Sequence, residues 1–179
     1  MHVTIVRGDY KRGYTGFFRG CAPLPKLYSQ TSLSTSFAYS LMAQYTLEKI
    51  VRVFEMLPTW DDKYAFLTEV GEKMEALPAE FQLDAHRVHG CMSKVWVIGE
   101  RQADGRLHLR ADCDTPVVKG LVALLVVIFQ DKTPEEIMAA DVDALFQQLG
   151  LYENISPNRH VGMYAMVDKI KKIANEHHA

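Results

Sequence analysis

One long apolar segment in the second half of the chain constrains the fold more than any other feature. Residues 117–129 read VVKGLVALLVVIF, and Lys119 is the only charged residue among them. Thr115 and Pro116 come directly before the segment and are typical of a helix N-cap and of the first helical position. A helix that is apolar almost all round is stable only when it is covered, so we expect this one to lie buried against a sheet.

Shorter helices are predicted on both sides of this segment. Five residues whose side chains can cap a helix precede apolar residues at helical spacing: Thr46, Thr59, Thr133, Asp141 and Ser156. Pro58 and Pro78 end the first two of these helices, and Gly150 ends the fourth. On the second helix, Tyr64 is expected on the face that packs into the core.

Between the two groups of helices the pattern changes to that of strands. Residues 95–101 are rich in β-branched and aromatic side chains, and residues 107–111 alternate apolar with polar. Asp104 and Gly105 lie between them and favour a hairpin turn. A further short strand is expected to end at Val88. The order of elements predicts one α+β domain, with a small antiparallel sheet of about three strands packed by helices from both ends of the chain.

A cysteine that follows a glycine, with basic side chains on either side, is the pattern that most strongly suggests chemistry. Residues 86–94 read HRVHGCMSK. Nearby positive charge favours the reactive thiolate form of a cysteine, so Arg87 and Lys94 indicate a reactive Cys91. Gly90 can adopt the backbone angles of a sharp loop with Cys91 at its tip. The alternative is that Cys91 is a small buried core residue, a common fate of free cysteines.

Two histidines, His86 and His89, precede this cysteine. Either could tune Cys91 or shuttle a proton for it, because imidazole titrates near neutral pH. The alternative is that both are solvent-facing positions of a short strand.

The overall composition excludes several classes of partner. The net charge of the chain is −2, so neither nucleic acid nor an anionic membrane is expected as a partner. The longest uncharged apolar run, residues 121–129, is too short for a membrane span, which requires roughly 18 residues. Three widely spaced cysteines argue against a disulfide framework and for a reducing compartment, so a cytoplasmic location is expected.

The first 44 residues differ from the rest of the chain. They hold five basic residues against one acidic residue, Asp9, and Ser and Thr cluster between residues 29 and 40. Such a basic, Ser-rich stretch is typical of a transit peptide, which would place the protein in a mitochondrion or plastid. The alternative is a disordered extension or an over-long start. We therefore predict an extension over residues 1–44 and a folded domain over residues 45–179.

Six short motifs, taken together, resemble those of a known family. In chain order they are EKI at residues 48–50, WDDKY at 60–64, VHGCMSKVW at 88–96, ADCD at 111–114, VKGL at 118–121 and SPNR at 156–159. In this order and at this spacing they resemble the SufE/CsdE family of sulfur acceptors in iron–sulfur cluster assembly. The resemblance implies a compact α+β fold shared with the IscU-type scaffold proteins.

The resemblance also implies a function. Cys91 would take a sulfane sulfur, as a persulfide, from a SufS/CsdA-type cysteine desulfurase and would stimulate that enzyme. The sulfur would then pass to a downstream iron–sulfur scaffold or another acceptor. The domain would need no cofactor of its own, since the pyridoxal phosphate belongs to the desulfurase. It would be a carrier that shares in catalysis rather than a stand-alone enzyme.

The same resemblance suggests which residues surround the cysteine. Asp112, Asp114 and Arg159 are expected near the loop of Gly90 and Cys91, where they could hold the loop closed or contact the partner. For Asp114 an alternative is that its charge complements the dipole of the helix that follows it. An arginine in the first turn of a helix is unfavourable by the same dipole argument, and this suggests a carboxylate on the partner.

Two residues depart from the family pattern, and one of them leaves a disulfide possible. Met92 stands where the family usually has glutamine, and Cys113 where it usually has serine, so a disulfide between Cys91 and Cys113 stays open. A thiol–disulfide oxidoreductase using Cys91, Met92 and Ser93 is the competing function, although such motifs usually open a helix and carry a second cysteine. A cluster or metal scaffold that uses Cys91 and Cys113 with Asp112 or His89 ranks third, but no C-x-x-C pair is present, so no metal site is predicted. A binding module with an inert cysteine is the last alternative.

Overall fold

The computed structural model of the chain describes residues 45–177, which form an α+β fold. This part of the chain contains seven helices and one two-stranded antiparallel sheet. In chain order the elements are α1 (Leu47–Met56), α2 (Trp60–Glu72), β1 (Val95–Arg101), β2 (Leu107–Cys113), α3 (Pro116–Phe129), α4 (Pro134–Ala139), α5 (Val142–Gln148), α6 (Leu151–Asn154) and α7 (Pro157–Glu176). Two short 3-10 turns, Ala79–Phe81 and Asp84–His86, lie between α2 and β1.

Helix α3 is the centre of the core, as its apolar sequence predicts. All of its residues from Gly120 to Phe129 are buried. Helix α2 packs along one side of it, strand β2 packs along another, and α1 and α7 also contact it. The approach of α2 is very close, because a Cβ added to Gly120 would lie 2.5 Å from the carbonyl oxygen of Leu67. Packing therefore leaves no room at this position for any side chain.

The sheet is a single hairpin. Residues 95–101 pair antiparallel with residues 107–113, so that Val95 lies opposite Cys113. The connecting turn contains Gly105 at a φ of 84°, which confirms the hairpin predicted there. Strand β2 contacts α3 and strand β1 contacts α7, so the hairpin links the central helix to the last one.

The prediction of about three strands is wrong in number, since the described part of the chain has two. The segment before β1 meets it at one isolated bridge, Arg87 opposite Trp96, and no strand ends at Val88. The 3-10 turn Asp84–His86 ends directly before this bridge, and a turn that includes Gly90 follows shortly after it. Too few extended residues lie between the two turns to form a ladder.

The predicted helix starts are confirmed, but the second helix ends at Glu72, six residues before the predicted stop at Pro78. Four N-cap side chains accept a hydrogen bond from the N–H group three residues on: Thr46, Thr59, Thr133 and Asp141. Thr115 and Ser156 occupy the N-cap positions of α3 and α7 without such a bond. Gly150 takes a left-handed conformation after α5, as its role as a stop predicts. The short α6 has no counterpart in the sequence prediction, because four residues are too few to show a period.

Residues 1–44, for which an extension is predicted, lie outside the described residues. The domain boundary at residue 45 and the locations that depend on this segment therefore stay predictions. Within residues 45–177, no helix combines the length and the apolar character needed to cross a membrane.

Candidate functional site

Cys91 lies on the loop that connects the second 3-10 turn to strand β1. Val88 donates a backbone hydrogen bond to the carbonyl of Val95 at 2.8 Å, which fixes the start of this loop. Gly90 has a φ of 95°, a left-handed angle that favours glycine, and it turns the chain just before the cysteine. Cys91 is partly exposed, and the side chain of the next residue, Met92, is 85% exposed. The predicted placement of Cys91 on a sharp glycine loop is therefore confirmed.

Helix α7 forms the surface against which this loop packs. A Cβ added to Gly162 would lie 3.1 Å from the Sγ atom of Cys91 and 3.7 Å from its Cβ. A Cβ added to Gly90 would lie 3.5 Å from that of Ala165, one turn further along the helix. Lys169 donates from its Nζ to the carbonyl of Ala85 at 2.8 Å and attaches the preceding 3-10 turn to the same helix.

A cavity of about 280 Å³ opens beside the Cys91 side chain. Its lining consists of residues from the loop, from the start of α3 and from α7: Cys91, Met92, Ser93, Thr115, Val118, Leu121, Ser156, Asn158, Arg159, Gly162 and Met166. Leu121 and Met166 are buried and give the cavity an apolar inner wall, whereas Ser156 and Asn158 are exposed at its edge. The thiol therefore lies between an apolar interior and a polar rim.

Arg159 lines this cavity, and an aromatic side chain positions it. Its guanidinium lies 5.4 Å from the ring centroid of Tyr64, and its Nη1 donates to the Tyr64 hydroxyl at 3.5 Å. Tyr64 in turn donates its hydroxyl to the carbonyl of Asn154 at 2.7 Å. Within residues 45–177, no carboxylate lies within 4 Å of Arg159. The structure thus brings Arg159 to the cavity of Cys91 and leaves its charge without an ion pair there.

Asp114 fastens the other end of the Cys91 loop. Its Oδ1 accepts a hydrogen bond from the backbone N–H of Lys94 at 3.0 Å, and its own N–H donates to the carbonyl of Lys94 at 3.2 Å. The hydroxyl of Thr115 also donates to Oδ1, at 3.1 Å. The carboxylate is exposed and does not line the cavity. These bonds join Asp114 to the end of the loop at Lys94, and its predicted roles toward the partner and the helix dipole stay predictions.

Asp112 lies at the end of β2 and makes structural contacts only. It is 8% exposed, and its Oδ2 accepts from the N–H of Leu77 at 3.1 Å. Its Oδ1 accepts from the N–H of Cys113 at 2.8 Å and forms an ion pair with Lys119 at 2.8 Å. Asp112 therefore ties the segment after α2 to β2 and to α3, and it is not among the residues lining the cavity. A direct role at the site stays a prediction.

Cys113 differs from Cys91 in its burial. It is 7% exposed and faces the core, where the backbone N–H of Thr115 donates to its Sγ at 3.4 Å. Burial raises the pKa of the Cys113 thiol to about 11, and the charges of Asp114, Cys91 and Asp112 act in the same direction. Cys91 and Cys113 are both free thiols. Near neutral pH, Cys113 is therefore protonated and unreactive.

The two histidines of the loop segment differ in their surroundings. The Nδ1 atom of His86 lies 2.8 Å from the carbonyl of Phe81, and the ring packs beside that of Phe81. His89 is exposed on the turn before Gly90. Neither lines the cavity. In residues 45–177, no cluster of three or more His, Cys, Asp and Glu side chains could hold a metal ion.

Sequence reasoning alone missed two residues that shape the site. Tyr64 packs against the core as predicted, but its hydroxyl also holds Arg159, and the sequence carries no signal for this second role. Gly162 escaped notice because it lies inside a helix, where a glycine has no turn to explain it. A glycine in a helix interior lowers the stability of the helix by roughly 1 kcal/mol relative to alanine. Its presence there therefore indicates close packing, and this signal is visible in the sequence.

Comparison with known proteins supports the fold and the family. The fold is similar to the solution structure of a hypothetical protein from Thermus thermophilus, with a TM-score of 0.60 and 22% sequence identity. This match covers 73% of the present chain and 94% of the other, and at this identity it shows the fold alone. The family model for SufE, described as an Fe-S metabolism associated domain, matches residues 48–174. Because these residues are well over half of the sequence, the protein belongs to the SufE family, whose domain is associated with iron–sulfur metabolism.

Proposed function

We propose that this protein is a sulfur acceptor that takes sulfane sulfur from a SufS/CsdA-type cysteine desulfurase and carries it as a persulfide on Cys91. Family membership supplies the link to iron–sulfur metabolism. The observation that carries the finer proposal is the setting of Cys91, a free and partly exposed thiol on a loop beside a cavity. A thiol that exchanges sulfur with another protein must be accessible in this way.

The transfer step is an exchange between a thiol and a persulfide. The Cys91 thiolate attacks the terminal sulfur of the persulfide on the desulfurase cysteine. A new S–S bond forms at Cys91, the S–S bond of the desulfurase breaks, and the desulfurase cysteine leaves as a thiolate. The proton stays on the transferred sulfur, so the step needs no external oxidant or reductant. Pyridoxal phosphate serves the desulfurase alone, and this chain needs no cofactor of its own.

Stimulation of the desulfurase follows from the same step. Each transfer to Cys91 frees the desulfurase cysteine for another turnover. The sulfur on Cys91 then passes to a downstream iron–sulfur scaffold or another acceptor, by attack of that acceptor on the terminal sulfur. We propose the cytoplasm as the compartment, because a free thiol that carries sulfur requires reducing conditions.

The direct test is intact-mass spectrometry of the protein after incubation with a SufS-type desulfurase and cysteine. We expect an added mass of about 32 Da, the mass of one sulfur atom, which peptide mapping assigns to Cys91. Cys91→Ser should abolish the added mass and the stimulation of the desulfurase. Cys113→Ser is the matched control and should leave both unchanged, because the Cys113 thiol is buried and has a raised pKa.

Two outcomes would reject the proposal. One is stimulation by Cys91→Ser equal to that of the wild type, since the sulfur would then not pass through this thiol. The other is an added sulfur that maps to Cys113, which would move the acceptor to a different residue.

A further inference from the structure

The cavity beside Cys91 has the size of a site for a small molecule. Its volume of about 280 Å³ lies just below the range of roughly 300–1,000 Å³ that is typical of ligand pockets. Leu121 and Met166 form an apolar wall, and a few polar groups lie at the edge. An apolar cavity with a few polar groups at its rim is the usual form of a ligand site.

The electrostatics of the cavity favour an anion. Among the described residues that line it, Arg159 alone carries a formal charge. No carboxylate in residues 45–177 pairs with this guanidinium, and the ring of Tyr64 holds it in place. Such an arginine can bind a carboxylate through two parallel hydrogen bonds.

The N-termini of two helices at the same cavity also favour a bound anion. Helix α3, with 14 residues, and helix α7, with 20, begin there, and their N-cap residues Thr115 and Ser156 belong to the lining. Neither N-cap side chain accepts a hydrogen bond from its own helix. The positive ends of both dipoles therefore add to the charge of Arg159.

The spacing along α7 relates the anion site to the sulfur. Arg159 and Gly162 are three residues apart on one face of the helix, a rise of about 4.5 Å. Gly162 marks the position of the thiol, because a Cβ there would lie 3.1 Å from the Sγ atom of Cys91. Arg159 and Cys91 also line the same cavity, so one small ligand bound there can contact both.

We propose that the cavity binds a small thiol of the cysteine class, with its carboxylate on Arg159, and that this thiol is a direct acceptor of the sulfur on Cys91. The inference rests on the proposed function, because Cys91 must first carry a persulfide. The bound thiolate attacks the terminal sulfur of that persulfide. An S–S bond forms on the small thiol, the S–S bond at Cys91 breaks, and Cys91 leaves as a thiolate with the proton kept on the moving sulfur. The product is a small-molecule persulfide, and no oxidant or reductant is consumed.

The test compares small thiols that differ in their carboxylate. The full chain is loaded with inorganic polysulfide, desalted and mixed with cysteine, with 3-mercaptopropionate or with cysteamine, which lacks a carboxylate. Loss of the added sulfur from the Cys91 peptide is followed by mass spectrometry at equal thiolate concentrations. We expect the two carboxylated thiols to react about ten-fold faster than cysteamine and to show saturation, since one charge-assisted hydrogen-bond pair supplies about that factor.

Variants of the arginine identify the group that makes this selection. In Arg159→Gln the preference for carboxylated thiols should disappear, and Arg159→Lys should restore part of it because the charge is kept. Arg52→Gln, at an exposed position of α1, is the matched control and should keep the full preference.

The outcomes separate this inference from the proposed function. Equal rates for all three thiols on the wild-type chain would overturn the inference without any variant, and so would an unchanged preference in Arg159→Gln. Polysulfide places sulfur on Cys91 without a desulfurase. The protein can therefore show the preference for carboxylated thiols even if no desulfurase transfers sulfur to it. The proposed function would then fail while this inference stands.

Discussion

Two glycines determine where the Cys91 thiol lies. Gly90 takes a left-handed backbone angle and turns the chain just before the cysteine. Gly162 leaves room on α7, where any side chain would meet the Sγ atom. The thiol therefore rests against bare helix backbone and stays only partly exposed.

Replacing the second of these glycines should move the thiol outward. In Gly162→Ala the new methyl group would stand 3.1 Å from Sγ, and the exposed loop can yield more easily than the helix. We expect faster alkylation of Cys91 by iodoacetamide, measured by peptide mass spectrometry, with stability changed by less than about 1 kcal/mol. Alkylation of buried Cys113 in the same sample should stay slow. Slower alkylation of Cys91 would contradict this view of the contact.

The sequence predicts this site unevenly at the scale of single residues. Gly90 and Cys91 are predicted from their immediate neighbours, because a turn and a thiol are local features. Arg159 is placed near them only by the family resemblance, since it lies 68 positions after Cys91 in the chain. The second role of Tyr64 is not predicted, because an aromatic residue at the edge of a core and one at its centre have the same helical spacing.

Among the elements, the crossing of α2 and α3 is the closest contact described above. The atoms that a Cβ on Gly120 would meet first are the carbonyl oxygen and carbon of Leu67, at 2.5 and 2.6 Å, and both belong to the backbone. A backbone atom has no rotamer by which to move aside. The contact therefore fixes the distance between the two helices.

A methyl group at this crossing should destabilise the domain. In Gly120→Ala the two helices must separate, which typically costs about 1–3 kcal/mol, while the higher helix propensity of alanine returns up to about 1 kcal/mol. We expect a net loss of about 1–2 kcal/mol in the free energy of unfolding, measured by urea denaturation with an unchanged m value. Gly162→Ala is the matched control, since its methyl group meets a movable loop. Equal stability of Gly120→Ala and the wild type would show that the helices can slide apart freely.

Helix starts are predicted well from the sequence, and strand pairing is predicted less well. Capping depends on residues three apart, so Thr46, Thr59, Thr133 and Asp141 identify their helices correctly. A strand depends on its partner, and the segment before Gly90 has room for only one bridge between two turns. The third predicted strand fails for this reason.

At the scale of the whole molecule, the described residues form one hydrophobic core. Its buried residues run from Ile50 on α1 to Ala174 on α7, and the family match covers nearly the same span, residues 48–174. The cavity beside Cys91 draws on the loop, on α3 and on α7. The site therefore exists only when the loop, the start of α3 and α7, which are far apart in the chain, are packed together.

A chain of residues 45–179 should fold without the first 44 residues. We expect cooperative thermal unfolding by circular dichroism, because this chain contains the whole described core. A matched chain that begins at residue 60 lacks α1, whose Ile50 and Phe54 are buried, and it should unfold at a clearly lower temperature. A chain of residues 45–179 without cooperative unfolding would show that the first 44 residues belong to the folded domain.

The two fastenings of the Cys91 loop limit how far its sulfur can travel. Val88 is bonded to Val95 at one end and Lys94 to Asp114 at the other, so the five residues between them form a short tether. An extended chain spans at most about 3.5 Å per residue, and the middle of this tether reaches no further than roughly 10 Å from its anchors. The loop therefore cannot move the Cys91 sulfur any further away from the domain. Under the proposed function, a protein that gives sulfur to this thiol must therefore bring its own reactive atom almost to the surface of the domain.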